Sequence, residues 1–156
     1  MFPPTIDGFL VFIRQIMGID PVNLPDNSPS ITYAFNTALL IVNPALRSVA
    51  MPCFAGDPPI SLYNQAVYNL AADNLLNWAI DPSGQNYFER TRAELKIANW
   101  QAGVVSATTD ATTAVTLEIM EAAKGFTMAN LQQIKTPYGR QYIAISQDYG
   151  EIWGIS

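Results

Sequence analysis

Paired carboxylates are side chains of this sequence that could in principle support acid–base catalysis. Glu118 and Glu121 would share one face of a helix, and Glu89 and Glu94 would do so less closely. Two such groups suffice for glycoside hydrolysis when their surroundings shift the pKa of one of them. Solvated surface carboxylates are far more common than such pairs. We therefore expect no catalytic residue, and a carboxylate-dependent hydrolase stays a minor alternative.

Nucleophilic and metal chemistry have few candidate residues, because the chain contains no histidine and a single cysteine, Cys53. A Ser-His-Asp or Cys-His arrangement and a structural zinc site are therefore impossible within this chain. No phosphate-binding loop, dinucleotide motif or nucleophile elbow occurs. Asp20, Asp26, Asp57 and Asp81 flank turns and prolines, which favours capping over calcium binding. We expect neither a metal site nor a cofactor.

The low content of charged residues is the most informative feature of the composition. Only 13% of the residues are charged, against roughly 25% in a typical soluble domain. A surface poor in charge consists of amides, hydroxyls and apolar atoms, and a monomer of that kind tends to associate. Two interpretations stay open at this point: a small neutral monomer, or a subunit largely covered by its neighbours.

The distribution of basic residues argues against electrostatic binding of DNA or membranes. The net charge is −5, and the only basic cluster, formed by Arg90, Arg92 and Lys96, includes Glu89 and Glu94. Such a surface gains little from counterion release on duplex DNA and little from an anionic lipid surface. The densest apolar stretch, Thr37–Gly56, is too interrupted by prolines and polar residues to span a bilayer.

The spacing of apolar residues predicts one domain, residues 1–156, that is mainly α-helical. Helices are predicted over Ile6–Met17 and from a Ser28 cap to Pro44, with at most a short helical turn over Ala45–Gly56. The longest helix, Pro59–Ile80 after an Asp57-Pro58 cap, has one narrow polar stripe and is otherwise apolar. We expect it to be buried on most sides. The stripe consists of Ser61, Gln65, Asn69, Asp73 and Asn77.

This long helix should be the hub of the bundle, and Trp78 near its end is expected among its buried side chains. Full burial of Trp78 would make its replacement by alanine cost about 3–5 kcal/mol. After a turn at Asp81, a charged helix is predicted over Phe88–Asn99, where Arg90 and Glu94 are spaced to pair.

The segment Val104–Thr116 is rich in threonine and valine. These β-branched residues disfavour a helix and predict an extended loop or hairpin. Helical pieces are then predicted over Glu118–Lys124 and after Thr127. Pro137 opens a last helix over Tyr138–Asp148. The apolar tail Glu151–Ser156 should leave the bundle after Gly150.

Three stretches of this sequence resemble a family of tailed-bacteriophage head-to-tail adaptor proteins. They are Phe12–Ile19, Tyr68–Leu75 and Lys135–Ile145, the last followed by Asp148–Gly150 and Ile152–Gly154. The resemblance implies a helical subunit in a ring of about twelve in the virion neck, assembled in the host cytoplasm. It implies the portal protein and tail or tail-completion proteins as partners. Genomic DNA would pass through the channel without sequence-specific binding, and no cofactor or membrane is implied.

The expected contacts between subunits lie in the extended arm, the last helix and the tail. A strand or an aromatic anchor can insert into a neighbour, and Arg and Tyr are favoured at interfaces. The alternatives are an ordinary surface hairpin and a tail whose tryptophan folds back onto its own core. The predicted interface residues are Val104, Val105, Val115, Tyr138, Arg140, Tyr142, Ile152, Trp153 and Ile155.

The function predicted from the sequence is therefore that of a structural virion protein, a ring subunit that joins the portal to the tail. The alternative from another class is a small, non-catalytic helical binding or chaperone-like protein that acts as a monomer or dimer. Oligomeric state separates the two.

Overall fold

Helices account for most of the part of the chain that the computed structural model describes, namely residues 3–48, 61–97, 107–109, 114–116 and 133–148. The predicted mainly α-helical fold is confirmed. None of the helices in these ranges is long and apolar enough to cross a membrane. The α-helices are α1 (Ile6–Gln15), α2 (Pro29–Ile41), α3 (Leu62–Trp78), α4 (Tyr87–Glu94) and α5 (Pro137–Asp148), with a 3-10 helix over Pro44–Ser48.

Two short strands, β1 (Ala107–Thr109) and β2 (Ala114–Thr116), pair antiparallel with Thr108 opposite Val115. Both lie within the segment Val104–Thr116, for which the sequence predicts an extended loop or hairpin. That this segment projects as an arm onto a neighbour stays a prediction. Residues 104–106, the helical pieces predicted over 118–124 and after Thr127, and the tail 151–156 lie outside the described residues.

Helices α1 and α2 begin after Thr5 and Ser28, two residue types that favour helix N-caps. The Thr5 hydroxyl accepts a hydrogen bond of 3.1 Å from the backbone N–H of Gly8 at the start of α1. Pro29 occupies the first position of α2 after Ser28, although the Ser28 side chain makes no capping hydrogen bond. Helix α2 ends at Ile41 because the Val42 backbone is extended.

Helix α3 begins at Leu62, not at the predicted Pro59. The Ser61 hydroxyl accepts a 3.0 Å hydrogen bond from the backbone N–H of Asn64, so Ser61 is the N-cap of the helix. In the sequence analysis, Ser61 was placed inside the helix as the first residue of the polar stripe. The predicted Asp57-Pro58 cap lies outside the described residues.

Helix α4 is shorter than the predicted Phe88–Asn99 and ends at Glu94. Its start is fixed by Asp81, whose carboxylate accepts hydrogen bonds from the backbone N–H groups of Phe88 at 2.8 Å and Glu89 at 3.0 Å. Its end is fixed where Lys96 adopts a left-handed backbone with φ of 54°. The prediction that Asp81 serves turn formation and capping is confirmed.

Helix α3 is the centre of the bundle, as predicted, because 12 of its 17 residues are buried. Rings from α1 and α2 pack on it: the Phe9 centroid lies 5.8 Å from that of Phe35 and 5.9 Å from that of Tyr68. The expectation for Trp78 was wrong, because this last residue of α3 is 44% exposed. Its ring contacts Tyr33 of α2 at 5.3 Å.

Candidate interaction surface

The predicted interface residues do not form one surface in the described part of the chain. Val104, Val105, Ile152, Trp153 and Ile155 lie outside the described residues. Val115 lies on β2. The other three residues lie on α5 and have different surroundings.

Tyr142 belongs to the core of its own subunit, because it is only 7% exposed and lies among buried core residues. Burial raises the pKa of its phenol to about 12. Tyr138 is half-buried, and its ring packs edge-to-face with that of Phe12 at a centroid distance of 6.0 Å. Arg140 is exposed, and its guanidinium donates a 3.0 Å hydrogen bond to the Ile134 carbonyl oxygen. Of these three side chains, Arg140 is the one that the subunit leaves open to a partner.

The polar stripe of α3 contains a buried carboxylate, Asp73, which is 2% exposed. The Thr136 hydroxyl donates a 2.5 Å hydrogen bond to Asp73 Oδ1 and accepts a 2.8 Å hydrogen bond from the Gly139 N–H. Burial raises the pKa of Asp73 to about 6, and the hydrogen bond from Thr136 opposes this shift. Asp73 is therefore part of the contact between α3 and the first turn of α5.

Gly139 makes this contact possible because it has no side chain. A Cβ atom at this position would lie 2.1 Å from the Gln133 carbonyl oxygen and 2.8 Å from Asp73 Oδ1. Both distances are shorter than van der Waals contact, so no larger residue fits without movement of the helix.

The carboxylates do not form a catalytic arrangement in the described part of the chain. Asp73 is shielded from solvent, and no group of three or more His, Cys, Asp or Glu residues there could hold a metal ion. Glu89 is exposed, and exposed Glu94 lies 3.9 Å from the Arg90 guanidinium. The spacing of Arg90 and Glu94 was therefore predicted correctly. Glu118 and Glu121 lie outside the described residues.

A cleft with a volume of about 170 Å³ lies among the described residues. It lies between the end of α1, helices α3 and α4, and the start of α5. It is lined mainly by Met17, Leu76, Tyr87, Leu95, Pro137 and Tyr138.

A surface that sequence reasoning missed lies on α2 and the end of α3, and we call it the apolar strip. The exposed fractions are 65% for Tyr33, 88% for Leu40, 53% for Ile41, 44% for Trp78 and 82% for Ile80. Tyr33 and Leu40 are two turns apart on one face of α2, and the Tyr33–Trp78 contact joins this face to α3. The sequence did contain a feature that could have indicated this surface: no charged residue occurs between Asp26 and Arg47.

Comparison with known proteins gives no relative of this chain: no protein-family model, curated protein or solved structure matches it. Three stretches of the sequence, Phe12–Ile19, Tyr68–Leu75 and Lys135–Ile145, contact one another in the fold. Phe12 of the first stretch lies 5.9 Å from Tyr68 of the second and 6.0 Å from Tyr138 of the third. Asp73 of the second stretch binds Thr136 of the third. All three stretches therefore meet in one place, which we call the three-stretch junction.

Proposed function

We propose that this protein is a ring subunit in the neck of a tailed bacteriophage, where it joins the portal to the tail and lets DNA pass. The observation that supports this best is the three-stretch junction. Segments separated by more than 50 residues in the sequence pack against one another in the fold through Phe12, Tyr68 and Tyr138. If this chain and the adaptor proteins shared a helical fold, we would expect their sequences to be similar at the segments that pack against one another.

The residues of the junction serve packing rather than chemistry, which suits a structural protein. Thr136 caps α5 and binds Asp73, Gly139 permits close approach, and Tyr142 fills the core. Lys135, in the same stretch, donates a 3.0 Å hydrogen bond to the Ile97 carbonyl oxygen. The resemblance implies no catalytic residue, and these roles require none.

The charge of the chain suits a channel through which DNA slides. With a net charge of −5 and eight basic residues, a ring of these subunits offers few partners for phosphates. A channel wall that bound phosphates tightly would hold the DNA in place instead of letting it pass.

The alternative of a helical binding or chaperone-like protein predicts a monomer or dimer. Two measurements separate it from the ring. Native mass spectrometry of the purified protein, alone and with the portal protein, gives the stoichiometry. A ring of about twelve 17.1 kDa chains has a mass of roughly 200 kDa.

The second measurement places the protein in the particle. Gold-labelled antibodies against the chain should mark the junction of head and tail in particles of the virus that encodes it. Label on the capsid, on the tail tip or on no particle would refute the neck assignment, whatever the oligomeric state. Antibodies against the major capsid protein provide the control for accessibility.

A further inference from the structure

We propose that the apolar strip (Tyr33, Leu40, Ile41, Trp78 and Ile80) is covered by a second copy of this chain. This inference names the surface through which the proposed ring would form, and so rests on the proposed function. The strip lies on α2, on the last residue of α3 and on Ile80 just after it, and its five large apolar side chains are 44% to 88% exposed.

Charge identifies a second copy as the fitting occupant. The exposed residues of α2 include no charged side chain, and the only charged residue of α3, Asp73, is buried. Two copies of a chain with net charge −5 repel each other wherever their charged surfaces meet. An uncharged face avoids this repulsion. DNA or an anionic membrane would find no basic residue on α2 or α3, and helices that lie on membranes usually carry a basic polar face.

The size of the strip also fits a contact between copies. Its five side chains together expose roughly 450 Å² of apolar surface, estimated from typical side-chain areas. A standard interface buries ~800 Å² on each partner, of which somewhat more than half is apolar. The strip therefore supplies about the apolar area that one side of such an interface requires.

Two side chains of the strip, Tyr33 and Trp78, restrain each other within the subunit. The rings of Tyr33 and Trp78 pack against each other at 5.3 Å, so each restricts the motion of the other. Aromatic side chains fixed in this way lose little entropy on association and are typical of residues that dominate binding. We infer that Tyr33 and Trp78 anchor the contact, with Leu40 and Ile80 extending it on either side.

The test compares two matched double variants by sedimentation velocity and native mass spectrometry at several protein concentrations. In the first variant, Leu40→Lys and Ile80→Lys place charges on the strip. In the control, Val11→Lys and Ile16→Lys place the same charges on α1 and at its C-cap, where these apolar residues are 52% and 63% exposed. All four positions are exposed, so we expect both variants to fold. Circular dichroism of each variant checks this. A strip variant that does not fold is replaced by the milder Leu40→Gln and Ile80→Gln pair.

The expected result is that wild type and control associate alike, whereas the strip variant dissociates at protein concentrations at least tenfold higher. A strip variant that is folded and associates like wild type overturns the proposal, and so does a wild type that is monomeric at ~100 µM. These outcomes are independent of the labelling of particles. A strip variant that associates normally in a protein found at the neck would refute the strip alone. Loss of association in a protein absent from particles would refute the neck function alone.

Discussion

The Thr136 hydroxyl lies 2.5 Å from Oδ1 of Asp73 and donates a hydrogen bond to it, joining residues 63 positions apart in the sequence. The same hydroxyl accepts the Gly139 N–H. One side chain therefore caps α5 and satisfies the buried carboxylate of α3. The stability of the contact between these helices should depend on it.

Replacing Thr136 by valine keeps the shape of the side chain and removes its hydroxyl. We expect a loss of about 2–4 kcal/mol in the free energy of unfolding, because a helix cap is lost and a buried carboxylate loses its donor. Urea denaturation at pH 7.5 measures this loss. Thr136→Ser keeps the hydroxyl and should cost less than about 1 kcal/mol. Equal losses for the two variants would contradict the role of the hydroxyl.

The raised pKa of Asp73 predicts a pH dependence of stability with a definite sign. Its pKa is about 6 in the folded protein and 3.8 in the unfolded chain, so the folded state binds the proton more tightly. Ionisation of Asp73 thus destabilises the fold by about 3 kcal/mol above pH 6, and this penalty disappears as the pH falls towards 4.

Asp73→Asn isolates this contribution from those of the other carboxylates. Denaturation of both proteins in urea at pH 4, 5, 6 and 7 gives the difference in their free energies of unfolding. We expect wild type to gain on the variant by up to about 3 kcal/mol between pH 7 and pH 4. A constant difference across this range would show that the carboxyl group titrates normally.

Arg14 holds the loop between α1 and α2 through several acceptors at once. Its guanidinium donates 2.6 Å hydrogen bonds to the carbonyl oxygens of Ile19 and Leu24 and also pairs with Asp26. An ammonium group cannot reach all these acceptors, so Arg14→Lys should cost about 1–3 kcal/mol. Arg90→Lys, at an exposed pair, should cost less than about 0.5 kcal/mol. Thermal melting compares the two, and similar losses would contradict the difference in role.

The exposure of Trp78 changes the expected effect of its removal. Because it is 44% exposed, Trp78→Ala should cost only about 1–2 kcal/mol. Leu75 lies one turn earlier and is fully buried, so Leu75→Ala should cost about 3–4 kcal/mol. Denaturation in urea measures both. A larger loss for Trp78 than for Leu75 would show that the tryptophan belongs to the core.

Helix positions were largely predictable, because apolar spacing and capping residues act locally. Ser28 with Pro29, and Pro137, marked the starts of α2 and α5 correctly. The start of α3 was predicted at Pro59 after an Asp57-Pro58 cap, whereas the helix begins at Leu62 with Ser61 as its N-cap. The end of α4 was also missed, since it depends on the left-handed backbone at Lys96.

The surroundings of individual side chains were less predictable, because they depend on which helices pack together. Spacing placed Asp73 on a polar stripe but did not show that Thr136 of α5 would cover it. Tyrosine is a residue type that is common at interfaces, yet Tyr142 lies in the core of its own subunit. To predict the apolar strip, one would have had to know that the described helices leave Leu40 and Ile80 exposed.

Gly139 has a consequence for how this sequence can diverge. A side chain there would collide with the Gln133 carbonyl oxygen and with Asp73, whereas its neighbours Arg140 and Gln141 are exposed. In a saturation library selected for folding, we expect glycine alone to survive at position 139 and most residues to survive at 140 and 141. The exposed face of α5 can therefore change in sequence and acquire new partners. The close packing of α5 against α3 at Gly139 cannot change with it.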